Sequence, residues 1–152
     1  FSIEDEDTNI FSEEVMDYSQ KQVINLDKNF SFNNFLDGAK KAFKLIVIAY
    51  KTGNIEDIKN LISKEVYDNF QGAANLNNNK ESKFNIYSVK ASILNIEVIK
   101  KLVKIKVEFL SNQEVLIRDK IKKHKNIKDI WTFEKNMDAG SPIWTLVEVT
   151  AE

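Results

Sequence analysis

The sequence contains no cysteine, one histidine, one proline and only four glycines among 152 residues. Without cysteine there is no disulfide, no thiolate metal site and no cysteine nucleophile. The lone His124 excludes multi-histidine metal centres and argues against a histidine-based triad. Long apolar runs are also missing: the longest, from Leu45 to Tyr50, falls far short of the ~20 residues of a membrane span. No nucleophile–base pair, phosphate loop or metal-ligand spacing occurs, so neither an enzyme nor a bound cofactor or metal is expected. What remains is a chain of one-domain size that can bury about two-thirds of its unfolded surface. With 43% hydrophobic and 11% aromatic residues, whole-chain disorder is excluded. Beginning at Phe1 rather than Met, the sequence reads as a processed or trimmed piece of a longer product.

Arginine is scarce as well, Arg118 being the only one. Together with abundant Lys, Ile and Asn, this is the residue signature of an AT-rich genome. The formal net charge of -1 conceals an asymmetry. Glu4, Asp5, Glu6, Asp7, Glu13, Glu14 and Asp17 precede the first lysine, leaving 16 acids against 22 bases over residues 21–152. An acidic leader thus precedes a basic body. Residues 1–28 are expected to be an acidic, partly flexible segment, with Ile10, Phe11, Val15 and Tyr18 available for a short docking helix. Residues 29–152 are the expected folded domain.

Within that domain Phe32, Phe35, Leu36, Ala39, Phe43, Ile46 and Tyr50 recur at intervals of three and four, one buried face of a helix. Ser31 suits its N-cap and Gly53 its C-cap. Asn54 suits the cap of a short second helix through Ile55, Ile58, Leu61 and Ile62. Ser63 suits that of a third helix carrying Val66, Tyr67, Phe70 and Ala74, and the asparagine-rich stretch Asn75–Lys80 reads as a loop. The period then changes to two. Phe84–Ile99 and the alternation Val103, Ile105, Val107, Phe109 predict two strands. A third is expected to carry Val115, Ile117 and Ile121 on one face. A fourth spans Ile127–Lys135, and a fifth, Ile143–Thr150, follows the Asp138–Pro142 turn. Helices followed by a strand meander predict an α+β fold, N-terminal helices packed on a curved antiparallel β-sheet. A long helix across such a sheet encloses a cone. Phe43, Ile46, Tyr50, Phe109, Trp131 and Phe133 are the candidate pocket lining, or else they simply fill the core.

The order of motifs Phe35-Leu36-Asp37-Gly38-Ala39-Lys40-Lys41-Ala42-Phe43, Glu65-Val66-Tyr67-Asp68-Asn69-Phe70, Arg118-Asp119, Asp129-Ile130-Trp131-Thr132-Phe133-Glu134-Lys135 and Pro142-Ile143-Trp144-Thr145-Leu146 resembles a known family. It is similar to the C-terminal domain of the peripheral import-motor subunit of the mitochondrial inner-membrane translocase and its bacterial relatives, over roughly residues 29–150. The resemblance implies a cystatin-like or nuclear-transport-factor-like cone and no catalysis. It also implies peripheral attachment to an inner membrane, with anionic lipid such as cardiolipin, or a membrane protein, as partner. Bacterial relatives carry a hydrophobic anchor ahead of this domain. Where those relatives place a glycine after the Arg-Asp pair, this chain has Ile121-Lys122-Lys123-His124-Lys125-Asn126, so its hairpin tip is expected to differ in shape.

Lys120, Lys122, Lys123, Lys125 and Lys128 form the densest basic cluster, on a predicted hairpin. Such a cluster attracts anionic headgroups or merely protects a sheet edge from aggregation. Phe32 and Phe35, with Phe30, are candidates for a membrane or partner contact at the start of the long helix. Nucleic-acid binding is not expected, because lysine charge without aromatic platforms or a reading motif is weak support for it. The resulting expectation is a non-catalytic scaffold or receptor domain at an inner-membrane surface. An isomerase-like enzyme of the same fold, using Asp119, Asp129 or Glu134, and a ribosome-associated tether are the alternatives.

Overall fold

The computed structural model describes residues 9–11, 13–76, 83–140 and 142–151. A short strand β1 (Asn9–Phe11) and helix α1 (Glu13–Leu26) come first. Helix α2 (Phe32–Thr52), a 3-10 segment (Ile55–Leu61) and helix α3 (Lys64–Leu76) follow. Four strands then make an antiparallel meander: β2 (Lys83–Ile99), β3 (Leu102–Ile117), β4 (Lys120–Asn136) and β5 (Thr145–Ala151). The sheet order is β1-β2-β3-β4-β5, with β1 parallel to β2 at one edge. The α+β class and the helices-before-meander order stand as expected.

Local chemistry sets the helix ends. The Ser31 hydroxyl accepts from the Asn34 amide at 3.1 Å, and the Ser63 hydroxyl accepts from the Val66 amide at 3.2 Å, each satisfying an otherwise orphaned donor of a first turn. Gly53 closes α2 at φ 78°, a left-handed conformation suited to glycine. Asn54 makes no side-chain cap bond, a correction to its expected role. Its amide instead donates to the Ala49 carbonyl at 2.8 Å, so the chain leaves α2 as one continuous turn. The expected loop at Asn75–Lys80 lies partly outside the described residues; Asn75 and Leu76 continue α3.

The buried face of α2 lies across the sheet, and its rings meet side chains that alternate inward along β3 and β4. Val103, Ile105, Val107 and Phe109 are all fully buried, as the period of two requires. Register shifts in β2 at Ile86/Ser88 and Ile93/Asn95, between β3 and β4 at Ser111/Gln113, and between β4 and β5 at Thr132/Phe133 increase local twist. The sheet is therefore curved around α2 without closing. Near the N-terminus, Ile10 and Phe11 belong to β1 rather than to a helix. Helix α1 docks through the fully buried Val23, whereas Tyr18 is 74% exposed.

One boundary moved. The expected third strand does not exist as a unit: Val115 and Ile117 lie at the end of β3, and Ile121 lies at the start of β4 after Lys120. The turn between them is Arg118-Asp119, with φ of 49° and 69°, a two-residue hairpin of the kind whose twist matches that of its flanking strands. Arg118 and Asp119 are thus turn residues rather than strand residues.

Candidate functional site

The cone is filled at its waist. Phe43 and Phe109 stack with ring centroids 4.5 Å apart, and Trp131 lies 4.7 Å from Phe43. This cluster separates two concavities where the sequence suggested one hollow. Phe43 and Phe109, both fully buried, line neither and are core residues, a correction to their expected place in a pocket lining. Ile46, Tyr50 and Trp131 do line one cavity, and Phe133 lines the other.

The first concavity, about 410 Å³, lies beside the start of α2. Its wall is aromatic: the Trp144 ring is 4.8 Å from Phe35 and 6.0 Å from Phe30, and Phe35 is 6.1 Å from Phe133. Gly38 faces it, and a Cβ built there would meet nothing within 4 Å. Phe32 and Phe35, expected as surface contacts, are only 8% and 7% exposed. Phe35 is held by Trp144 and Phe133. Phe32 meets Phe30 edge-on at 4.8 Å and borders a shallow depression shared with Ile24 and Asn25 of α1. Neither ring is free to enter a bilayer.

The second concavity, about 290 Å³, opens at the far half of α2. Ile46, Val47, Tyr50 and Lys51 of α2, Phe70 of α3, Gln113 of β3, Ile127, Asp129 and Trp131 of β4 and Val149 of β5 enclose it. Asp129 is half-buried here, and burial holds its carboxyl above the ordinary carboxylate value, with the Lys51 ammonium pulling weakly the other way. Of the three carboxylates that alternation nominated, it alone lines either of these two concavities. Asp119 sits in the exposed turn, and Glu134 faces Lys104 at 3.8 Å on the outer face of the sheet.

The lysine cluster occupies strand rather than loop. Lys120 and Lys122 lie opposite Ile117 and Val115, on the helix-side face, while Lys123 lies opposite Glu114 on the outer face. Lys125 and Asn126 form a bulge, with Asn126 at φ 56°. Asn112 anchors this bulge: its Oδ1 accepts from the Asn126 amide at 2.9 Å, and its Nδ2 donates to the Ser88 hydroxyl at 2.7 Å. All five lysines are exposed. Among the described residues, only Lys128 of the five has an ion-pair partner, Glu108 at 3.8 Å.

Sequence reasoning missed the apolar part of this tip. Ile117 and Ile121, assigned to one face of a single strand, are 38% and 62% exposed and lie on opposite faces of the hairpin, Ile117 opposite Lys120 and Ile121 opposite Leu116. Placing the turn at Arg118-Asp119 would have exposed them. Among the described residues, no helix is long and apolar enough to cross a membrane. Residues 16–151 match the family described as the Tim44-like domain. No curated protein matches the chain.

Proposed function

The chain belongs to the Tim44-like domain family, and from that premise we propose that it is a peripheral inner-membrane scaffold whose β3–β4 hairpin tip meets anionic lipid. The family is translocase-associated and non-catalytic, and its members meet membranes and partner proteins. One observation carries the lipid assignment: two exposed isoleucines, Ile117 and Ile121, project among Arg118, Lys120, Lys122, Lys123 and Lys125 at the end of a two-stranded arm. Each lysine near an anionic surface contributes about 1 kcal/mol, within roughly one Debye length. Burying an isoleucine side chain in the interface adds up to about 1.5–3 kcal/mol. Charge on both faces of the arm suits an end-on approach, in which the tip enters the headgroup layer and the sheet stays outside. The aromatic groove beside Gly38 faces a different direction along α2 and leaves room for a partner protein's segment.

Co-sedimentation of the full chain with vesicles tests this reading. Phosphatidylcholine vesicles containing cardiolipin should retain it, and neutral phosphatidylcholine vesicles should not. Replacing Lys120, Lys122, Lys123 and Lys125 by Gln should weaken retention by about tenfold or more. Ile117→Ser with Ile121→Ser should weaken what retention persists at high salt. Equal binding to both vesicle types, or full retention of the lysine variant, would remove the assignment.

A further inference from the structure

The sheet has an open edge, and the direction of the chain decides what runs along it. Strand β1 pairs in parallel with residues 91–93 of the 17-residue β2. Among the described residues, nothing else pairs with that edge. An unpaired edge offers its amides and carbonyls to any extended segment brought beside it. Because β1 is parallel to β2, the chain ahead of Asn9 heads toward Lys83 rather than toward Ile99. After Phe11 the chain leaves the edge for α1, so residues 94–99 gain no strand from it.

The surface on that side is basic. The start of β2 lies beside the β3–β4 hairpin, Lys83 pairing with Leu116 and Leu116 with Ile121. Over residues 83–90 and 108–128, eight bases stand against the three acids Glu108, Glu114 and Asp119. Lys83 and Lys90 thus join Arg118 and the five lysines already described. The leader carries the opposite charge, with Glu4, Asp5, Glu6 and Asp7 consecutive. Counted back from Asn9 opposite Ala91, these four fall at the level of residues 86–89. That stretch of β2 runs alongside residues 111–113 of β3 and 124–127 of β4. The register therefore brings four acids to the flank of the lysine cluster.

We infer that the open start of β2 is the docking site of the chain's own acidic leader, residues 4–7, held there by the charge of the neighbouring hairpin. These four residues lie outside the described residues; the register of β1 and the complementary charge carry the assignment. Tethering through β1 gives the leader an effective concentration of about the millimolar range, so it outcompetes a free acidic peptide. Exposed ion pairs are individually weak and screened by salt, which makes this occupant displaceable. A surface presenting many anionic groups at once removes it, and the leader thereby sets a threshold for binding. That consequence rests on the lipid reading of the hairpin; the docking itself does not.

A chain without cysteine accepts a single spin label cleanly. In the ¹⁵N-labelled full chain, a nitroxide on Ser2→Cys should broaden the amide signals of residues 84–86. It should spare those of residues 97–99, roughly 40 Å further along β2 at about 3.3 Å per residue. Adding Glu4→Gln, Asp5→Asn, Glu6→Gln and Asp7→Asn should remove most of that broadening. The same four substitutions should raise retention by cardiolipin-containing vesicles about fourfold or more. Broadening centred away from residues 84–86, or unchanged by the four substitutions, would overturn the docking. Broadening of a ¹⁵N-labelled chain by a separate nitroxide-bearing chain would put a second copy's leader there and overturn the intramolecular assignment. Equal, measurable retention of parent and variant would overturn the competition with lipid. If vesicles retain neither, the lipid reading falls, and the nitroxide result alone decides the docking.

Discussion

Phe43 of α2 and Phe109 of β3 stack with 24° between their ring planes and centroids 4.5 Å apart, both fully excluded from solvent. The pair joins the two layers of the fold at the middle of the cone and divides its interior into an aromatic groove at one end and a polar-floored cavity at the other. The positions of both concavities depend on this contact.

Truncating that contact should therefore be severe. Phe109→Ala is expected to cost about 3–5 kcal/mol, the range for a fully buried aromatic whose cavity cannot collapse. Urea unfolding followed by tryptophan fluorescence reads this directly, since Trp131 lies 5.4 Å from the deleted ring. A loss below about 1 kcal/mol would show that neighbouring side chains close the gap, which their packing does not anticipate.

Asp129 should make stability fall with rising pH. Its folded-state value is raised by burial above the ordinary 3.8, so the folded protein holds this proton more tightly than the unfolded chain. The contribution is fully present below the unfolded value and is lost as pH climbs through the raised one. Asp129→Asn should thus be more stable than the parent at pH 7. The gap should close as the medium is acidified below the ordinary carboxylate value. Thermal melts from pH 3 to pH 8 test this. Parallel curves for the two proteins would contradict it.

The β3–β4 turn should be open to improvement. Arg118 and Asp119 both adopt positive φ, a region glycine enters freely, asparagine and aspartate tolerate, and arginine enters only at a cost. Arg118→Asn combined with Asp119→Gly supplies the pair that such turns prefer and should stabilise the protein by about 0.5–1 kcal/mol. Chemical denaturation measures the gain. Destabilisation would mean that Arg118 or Asp119 makes a contact outweighing its backbone strain.

The readable parts of the fold are those decided within a few residues. The Ser31 and Ser63 caps, the Gly53 terminus and the inward alternation of Val103 to Phe109 were all legible, because a cap bond spans three residues and a pleat alternates every second one. The β3–β4 turn was not. Val115-Leu116-Ile117 leads into Arg118-Asp119 and Lys120-Ile121-Lys122 leads out, with no glycine or asparagine between them, so a continuous strand and a hairpin look alike. The site was less legible still. Lysine density marked the arm, but a turn that local alternation does not reveal set Ile117 and Ile121 on opposite faces.

By itself, then, the sequence determined the helical stripe, its caps, the switch to period two and the family to which they belong, because each is written in neighbouring residues. Tertiary structure alone decided that aromatic rings from α2 and β3 would close the waist of the cone. It also decided that Phe32 and Phe35 would be packed away, and that Trp131 and Asp129 would share a cavity with Lys51. Those outcomes turn on volume and solvent access where distant segments meet, and no local pattern carries that information.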